Sequence, residues 1–328
     1  MELISVLKKP IVAVTRKLPT QVEIKMSELY NVKLNKDDKP LTKSELIDLV
    51  NTVDILVCGV TDVIDSDIIA SAGTNLKLIA NFGVGVNHID LETANRKNIL
   101  VSNTPDVLTE DTADLALTLI LMTARRAGEG ERIVRKNAWT GWTPTQLMGT
   151  RVFEKTLGII GMGRIGQSLA KRAKGIGMKI HYHNRGPCNK EIEEEIGAIY
   201  FENLEEMLPT VDFLSINTPF TKETDNIINS NRLDLLKSNC ILVNTARGGI
   251  VDEDALIHSL KTKTIAGAGL DVYDGEPRIN PGFFQLENVV LLPHLGSATL
   301  ETREAMGFRV IANIEKFLKN NSVLDNVF

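Results

Sequence analysis

An arginine, a glutamate and a histidine follow three predicted buried strands in the second half of the chain. They are Arg247 after Cys240–Asn244, Glu276 after Ile265–Asp271 and His294 after Val289–Leu292. Parallel strands bring their carboxyl ends to one sheet edge, where ligands bind, so we expect the three side chains near one another. A guanidinium can bind a carboxylate and polarise the adjacent carbonyl, and an imidazolium oriented by a carboxylate can donate a proton. This chemistry suits hydride transfer to a 2-oxo acid.

A glycine-rich turn predicts where the hydride donor binds. The apolar run Thr156–Ile160 leads into Gly161-Met162-Gly163-Arg164-Ile165-Gly166, which opens a predicted helix. In this strand–turn–helix setting, Gly161 permits the tight turn, Gly163 lets a pyrophosphate approach the backbone, and Gly166 permits close helix packing. The N–H groups at the helix start, around Arg164 and Ile165, favour phosphate. The turn therefore predicts a dinucleotide site.

The end of the next predicted strand bears on the choice between NAD(H) and NADP(H). NAD enzymes usually place an acidic residue here to accept hydrogen bonds from the ribose hydroxyls. This chain has Asn184 and Arg185 instead, and a guanidinium can pair with a 2′-phosphate. We expect NADP(H) to be preferred, with NAD(H) still possible.

The elements that position these residues form two series of alternating strands and helices. The pattern predicts an α/β protein with two Rossmann-like doubly wound parallel-sheet domains and an active-site cleft between them. The predicted domains are 1–103 plus 297–328, which binds substrate, and 104–296, which binds the dinucleotide. One long helix over Glu110–Arg126 is expected to connect the two series, and a final helix over Ser297–Leu318 to return to the first. Thr42 and Asp65 are predicted helix N-caps.

Composition excludes several classes of protein. The 328 residues are 43% hydrophobic and 24% charged, which is incompatible with a disordered or fibrous chain. A net charge of −5 provides no basic field for nucleic acid or anionic lipid. The three cysteines have no metal-ligand spacing and indicate a reducing compartment. Without a signal segment or a long apolar stretch, we expect a cytoplasmic protein with no metal site and no membrane or nucleic-acid partner.

Five stretches of the second series resemble the D-isomer-specific 2-hydroxyacid dehydrogenase family. They are GIIGMGRIGQSLAKR (158–172), FLSINTPFTKETDNIIN (213–229), NCILVNTARGGIVDEDAL (239–256), IAGAGLDVYDGEP (265–277) and VVLLPHLGSAT (289–299). The resemblance implies that Arg247, Glu276 and His294 are catalytic, with Glu276 paired to His294. It also implies cofactor contacts at Thr218, Pro219, Thr245, Ala246, Asp271 and Gly296.

The first series carries a stretch that is similar to the family's substrate loop, NFGVGVNHIDL (81–91). The resemblance implies that the backbone N–H groups of Val84 and Gly85 hold the substrate carboxylate. The segment Trp139-Thr140-Gly141-Trp142 resembles the glyoxylate and hydroxypyruvate reductase branch. For that branch, the resemblance implies a homodimer in which Trp142 of the partner subunit closes the substrate pocket.

The sequence leaves other functions open. Within the family, the substrate could be glyoxylate, hydroxypyruvate or a 2-ketogluconate-type acid, and D-lactate or phosphoglycerate dehydrogenase are alternatives. Formate dehydrogenase shares the fold but resembles this chain poorly, because it is expected to have glutamine at the position of Glu276. A nucleotide-sensing corepressor built on the same fold is an alternative of another class.

Overall fold

A computed structural model describes residues 9–328, and the chain divides into two compact units. The first unit is Met1–Leu108 with Thr299–Phe328, and the second is Thr109–Ala298. The sequence pattern predicts domain boundaries after 103 and after 296. The final helix therefore belongs to the same unit as the N-terminal part of the chain.

The first unit is built on a parallel five-stranded sheet with the strand order β2-β1-β3-β4-β5. Its strands are β1 (Ile11–Val14), β2 (Asn31–Lys33), β3 (Ile55–Gly59), β4 (Leu78–Phe82) and β5 (Leu100–Ser102). Its helices are α1 (Thr20–Leu29), α2 (Lys43–Val50), α3 (Ser66–Ser71), α4 (Leu91–Arg96) and α12 (Leu300–Asn320). The order 2-1-3-4-5 is one of the two common arrangements of doubly wound sheets.

Helix starts in this unit follow local capping chemistry. The side chain of Thr42 accepts the N–H of Glu45, and the Glu45 carboxylate accepts the N–H of Thr42 in return. Asp65 accepts the N–H of Ile68 at the start of α3. Both predicted N-caps are confirmed. The pattern missed α1, which begins after Pro19 without a side-chain cap, and β2, which is a three-residue, largely exposed edge strand.

The second unit contains a parallel seven-stranded sheet with the order β12-β11-β10-β9-β6-β7-β8. Its strands are β6 (Thr156–Ile160), β7 (Lys179–His183), β8 (Ala198–Phe201), β9 (Phe213–Ile216), β10 (Ile241–Asn244), β11 (Gly267–Leu270) and β12 (Val289–Leu291). Its helices are α5 (Thr109–Ala124), α6 (Ala127–Arg135), α7 (Arg164–Gly175), α8 (Lys190–Ile196), α9 (Leu204–Met207), α10 (Ser230–Leu233) and α11 (Glu253–Thr262). Strand order reverses between β6 and β9, a topological switch point where such sheets bind ligands. Two α/β units with parallel sheets confirm the predicted fold class.

Alternating residues of the central strands bury opposite faces of this sheet. In β10, Leu242 packs into one apolar cluster while Ile241 and Val243 pack into another. The second cluster includes the apolar side of α5. Because successive strand residues point to opposite faces, both faces are covered and the strand ends are fixed in position.

The long helix predicted over Glu110–Arg126 ends earlier than expected. Helix α5 stops at Ala124, and Arg126 adopts a left-handed backbone with φ of 52° before α6 begins at Ala127. The prediction of one continuous helix was therefore wrong at its carboxyl end. Helix α6 was missed because two glycines, Gly128 and Gly130, lie in its first turns and lower its helix propensity. Within residues 9–328, no helix combines the length and apolarity needed to cross a bilayer, and no three His, Cys, Asp or Glu side chains cluster as cation ligands.

Candidate active site

Glu276 and His294 form a hydrogen-bonded pair in the second unit. The Glu276 Oε2 lies 2.7 Å from Nδ1 of His294, and its Oε1 accepts the backbone N–H of Tyr273. Burial raises the pKa of Glu276, but the bond and charge of His294, the Tyr273 N–H and the charge of Arg247 hold that pKa below its ordinary value. An ionised carboxylate only accepts, so Nδ1 of His294 carries the hydrogen. The other ring nitrogen, Nε2, is left to meet a ligand.

Asp271 fixes the backbone that carries His294. Its carboxylate oxygens accept the N–H groups of Leu295 at 2.7 Å and Gly296 at 2.8 Å, and its carbonyl accepts the N–H of His294 at 2.9 Å. His294 is thereby held in the left-handed region with φ of 58°, which a residue with a side chain seldom adopts. Asp271 is 1% exposed, and burial raises its pKa. The structure thus gives Asp271 and Gly296 a part in orienting the histidine loop.

Arg247 lies on the turn after β10, next to the Glu276 loop. The buried Asn244 shapes this turn by accepting the N–H of Ala246 and donating to the carbonyl of Arg247. A side chain at Gly248 would meet the Tyr273 carbonyl carbon at 1.9 Å, so only glycine lets the two loops approach this closely. Burial lowers the pKa of Arg247, and the charge of Glu276 opposes that shift. The three predicted catalytic residues therefore share one sheet edge.

The glycine-rich turn has the geometry that a pyrophosphate requires. Gly161 has φ of 94°, and a side chain at Gly166 would meet the Gly161 carbonyl oxygen at 2.3 Å. A side chain at Gly163 would meet nothing within 4 Å, and no side chain caps the start of α7. Within residues 9–328, the N–H groups of Ile165 and Gly166 donate to no protein acceptor. Open space beside free N–H groups at a helix start fits a phosphate group.

Two buried polar atoms at the same sheet edge have no protein partner among the described residues. They are Nδ2 of Asn217, just beyond β9, and Oγ1 of Thr245, just beyond β10. Asn217 adjoins the predicted cofactor contacts Thr218 and Pro219, and Thr245 is itself a predicted cofactor contact. Buried polar groups are rarely left unsatisfied in a finished site, so these atoms fit a bound polar ligand such as the cofactor.

The loop after β7 is tied to the glycine-rich turn. The Oδ1 of Asn184 accepts the N–H of Met162 at 2.8 Å, and the Cys188 thiol donates to the Met162 carbonyl at 3.6 Å. Tyrosine hydroxyls hold both ends: Tyr182 accepts the Cys188 N–H at 2.8 Å, and Tyr200 donates to the Asn184 carbonyl at 3.2 Å. Arg185 is exposed on this fixed loop. The amide nitrogen of Asn184 donates to the Cys188 sulfur at 3.8 Å, so one of its two N–H donors is left for a ligand.

In the first unit, carbonyls of the loop beyond β4 are hydrogen-bonded to other residues of the chain. The Gly83 carbonyl accepts the Thr104 N–H at 3.1 Å, and the Val84 carbonyl accepts Nδ2 of Asn103 at 2.8 Å. The N–H groups of Val84 and Gly85 donate to no acceptor in the part of the chain that the structure describes. Unpaired N–H groups on consecutive residues form an anion-binding concavity.

Trp142 lies on the loop beyond α6 and is 78% exposed. Its neighbour Trp139 is also exposed, and its indole N–H donates to Gln146. The structure therefore does not pack Trp142 against the Arg247, Glu276 and His294 cluster of its own chain. Exposed aromatic side chains of this size are typical of interfaces.

Comparison with known proteins identifies the family. The model of the D-isomer specific 2-hydroxyacid dehydrogenase NAD binding domain matches residues 117–296. A glyoxylate reductase of Thermococcus litoralis is 47% identical over 315 residues, covering 95% of this chain and 94% of that protein. The chain belongs to the D-isomer-specific 2-hydroxyacid dehydrogenase family. It is an NAD(P)-dependent oxidoreductase.

Solved structures of 2-hydroxyacid dehydrogenases share this fold over their full length. One from Polaromonas superimposes with a TM-score of 0.91 at 36% identity, covering 98% of this chain and 100% of that one. An NADPH-dependent glyoxylate/hydroxypyruvate reductase from Sinorhizobium meliloti, in complex with NADP and malonate, has a TM-score of 0.87 at 32% identity. The match covers 98% of this chain and 97% of that one.

Several site residues of this dehydrogenase escaped the sequence analysis. Asn217 follows β9 and Asn244 ends β10, and both lie next to predicted cofactor contacts. Their position at the ends of central strands could have identified them as site residues. Tyr182 and Tyr200 carry no such signal, because their hydroxyl partners, Cys188 and Asn184, are fixed only by the folded loop. The roles of the predicted site residues stay predictions.

Proposed function

We propose that this protein reduces a small 2-oxo acid, such as glyoxylate or hydroxypyruvate, to the D-2-hydroxy acid and prefers NADPH as the hydride donor. The observation that carries this proposal is the hydrogen bond of 2.7 Å between Glu276 and His294, close to Arg247. These residues follow strands of the same sheet that leads into the glycine-rich turn. Glyoxylate reductases are among the relatives with 43% or more identity, which supports a small substrate.

His294 supplies the proton in this proposal. Reduction adds a hydride to C2 and a proton to the carbonyl oxygen, so the oxygen gains charge as the hydride arrives. The imidazolium donates from Nε2, because Nδ1 is held by Glu276. Glu276 stays ionised at neutral pH, since its pKa lies below the ordinary value, and it stabilises the charged ring. Asp271 keeps the ring in place through the loop backbone.

Arg247 in the second unit and the Val84–Gly85 loop in the first unit each carry donors for a substrate anion. The half-buried guanidinium of Arg247 contacts the substrate carboxylate and polarises the carbonyl oxygen, where negative charge develops. The free N–H groups of Val84 and Gly85 bind the carboxylate. A guanidinium and backbone N–H groups together favour a substrate that carries negative charge, as a 2-oxo acid anion does.

The cofactor is held by the glycine-rich turn and the loop after β7. When bound, the dihydronicotinamide supplies the hydride. The N–H groups of Ile165 and Gly166 bind the pyrophosphate. Nδ2 of Asn217 and Oγ1 of Thr245, which have no protein partner among the described residues, form hydrogen bonds with the cofactor. Arg185 and the remaining amide donor of Asn184 favour a 2′-phosphate, because both can donate to phosphate oxygens and neither is the acidic residue that usually accepts from the ribose hydroxyls.

We further propose a homodimer in which Trp142 of the partner subunit covers the substrate. The exposure of both tryptophans on one loop supports this arrangement. Removal of the indole by Trp142→Ala would then raise the KM for glyoxylate without changing the KM for NADPH.

A substrate panel tests the proposed function. Glyoxylate, hydroxypyruvate, pyruvate and 2-ketogluconate are each mixed with enzyme and either NADPH or NADH, and the absorbance of the reduced nicotinamide is followed. We expect the fastest loss with NADPH and glyoxylate or hydroxypyruvate. Tight cofactor binding without turnover of any 2-oxo acid would contradict an enzymatic role and favour a nucleotide sensor.

Arg185→Ala is expected to raise the KM for NADPH by about 10- to 100-fold, because a charge-assisted contact with the 2′-phosphate is lost. The KM for NADH should change little, since that cofactor has no phosphate at the position. Steady-state kinetics with both cofactors measures the two effects. Lys190→Ala, which removes an exposed cation on the following helix, is the matched control. Equal changes for the two cofactors would show that Arg185 does not read the phosphate.

A further inference from the structure

Asn81 is a polar residue with no exposure at the end of β4, beneath the loop that carries Val84 and Gly85. Its amide nitrogen donates to the Gly83 carbonyl at 2.9 Å and to the Gly85 carbonyl at 3.0 Å. Its Oδ1 lies 3.0 Å from Nε2 of His88. A buried amide is costly unless its hydrogen-bonding capacity is used, and here both donors and the acceptor are bonded.

The bonds of Asn81, together with those of Thr104 and Asn103, fix which way the loop peptides face. A peptide plane carries its carbonyl and the following N–H on opposite sides. The Gly83 carbonyl precedes the N–H of Val84, so pulling that carbonyl towards Asn81 turns the Val84 N–H away from the protein. The Val84 carbonyl is held by Asn103, which fixes the direction of the Gly85 N–H. The Gly85 carbonyl, bonded to Asn81, fixes the far end of the loop.

His88 and Cys58 fix the orientation of the Asn81 amide. Both donors of Asn81 point at carbonyls, so the end that faces Nε2 of His88 must be the oxygen. His88 therefore donates from Nε2, and the Cys58 thiol donates to the same oxygen at 3.9 Å. A flipped amide would place its nitrogen against two donors and its oxygen against two carbonyls. The local network permits one orientation only.

We propose that Asn81 is a positioning residue that sets the anion-binding face of the Val84–Gly85 loop, and so determines affinity for the substrate carboxylate without touching it. This inference rests on the proposed function, because it assigns Asn81 to the same substrate site. Asparagine suits the position because it donates twice and carries no charge. Aspartate has a similar shape but would repel the two carbonyls and place negative charge beneath a site for an anion.

Three variants test the role of Asn81. They are Asn81→Asp, Asn81→Ala and, as a matched control, Asn31→Asp on the exposed edge strand β2 of the same unit. The measurements are the KM and kcat for glyoxylate, the Kd of oxalate as a non-reacting carboxylate probe in the presence of NADP, the Kd of NADPH, and the melting temperature.

We expect Asn81→Asp to raise the KM for glyoxylate and the Kd of oxalate by about 10- to 100-fold, because a misoriented loop loses two charge-assisted contacts. Asn81→Ala should raise both constants by a smaller factor. The Kd of NADPH should stay unchanged in each variant, and Asn31→Asp should match the wild type in every measurement. A residue with a merely structural role would lower the melting temperature but leave these affinities of the folded protein unchanged.

A second variant covers the case in which Asn81→Asp does not fold. Asn103→Ala removes only the contact with the Val84 carbonyl, and it should raise the oxalate Kd with the NADPH Kd unchanged. Unaltered oxalate affinity in folded Asn81 variants, or in Asn103→Ala if those do not fold, would overturn the inference. A wild-type enzyme that neither binds oxalate nor reduces glyoxylate would instead overturn the proposed function.

Discussion

Replacing His294 with alanine is expected to lower kcat by about 10²- to 10⁴-fold, the usual contribution of a general acid. The carbonyl oxygen would then have to take its proton from water while the hydride arrives. The glycine-rich turn and the loop after β7 are untouched by the substitution, so the Kd of NADPH should remain near the wild-type value. Steady-state kinetics and a fluorescence titration of NADPH measure the two quantities.

The matched control for this prediction is His258→Ala, which removes an exposed imidazole from α11 in the same unit. It should leave kcat unchanged. Turnover by His294→Ala within a few-fold of the wild type would refute the assignment of the proton to His294. A loss of NADPH binding alongside the loss of turnover would indicate that the loop held by Asp271 had changed shape.

Arg247→Ala should have the second largest effect. Removal of a preorganised cation from a developing oxyanion costs about 10²- to 10³-fold in kcat, and the KM for the 2-oxo acid should also rise because the carboxylate contact is lost. Arg247→Lys keeps the charge but not the planar fork of donors, so its activity should fall between those of the wild type and Arg247→Ala.

Arg278→Ala is the control for a nonspecific effect of positive charge, because Arg278 is exposed on the Glu276 loop. It should retain wild-type kinetics. If Arg247→Ala changed only the melting temperature, with kcat and KM unaltered in the folded protein, Arg247 would be a structural residue. That outcome would contradict the proposed contact between Arg247 and the negatively charged carbonyl oxygen.

The sequence predicted those parts of the site that depend on strand ends. Arg247, Glu276 and His294 follow three adjacent strands, and the parallel sheet brings them to one edge whatever the details of their loops. The predicted contact between Glu276 and His294 is present at 2.7 Å. The turn at Gly161–Gly166 was likewise readable, because its glycines are required by a local turn and by close helix packing.

Other features depend on contacts between residues that are distant in sequence or on irregular backbone. The bonds from the His294 loop to Asp271 keep His294 in a left-handed backbone conformation. No local sequence pattern predicts these bonds, because Asp271 lies more than twenty residues earlier in the chain. Helix α6 begins after Arg126, whose left-handed backbone conformation is not predicted by any local sequence pattern near the end of α5. In the sequence, Asn81 is one residue of a substrate-loop stretch, and only its four hydrogen-bonding partners in the fold distinguish it.

The transfer of a hydride to C2 of a 2-oxo acid can be measured directly from the product. Hydroxypyruvate is incubated with the enzyme and NADPH that carries deuterium at its transferable C4 position, and glycerate is then resolved by chiral chromatography and mass spectrometry. The proposed reaction predicts D-glycerate with one deuterium at C2. L-Glycerate, a racemic product or glycerate without deuterium would contradict it.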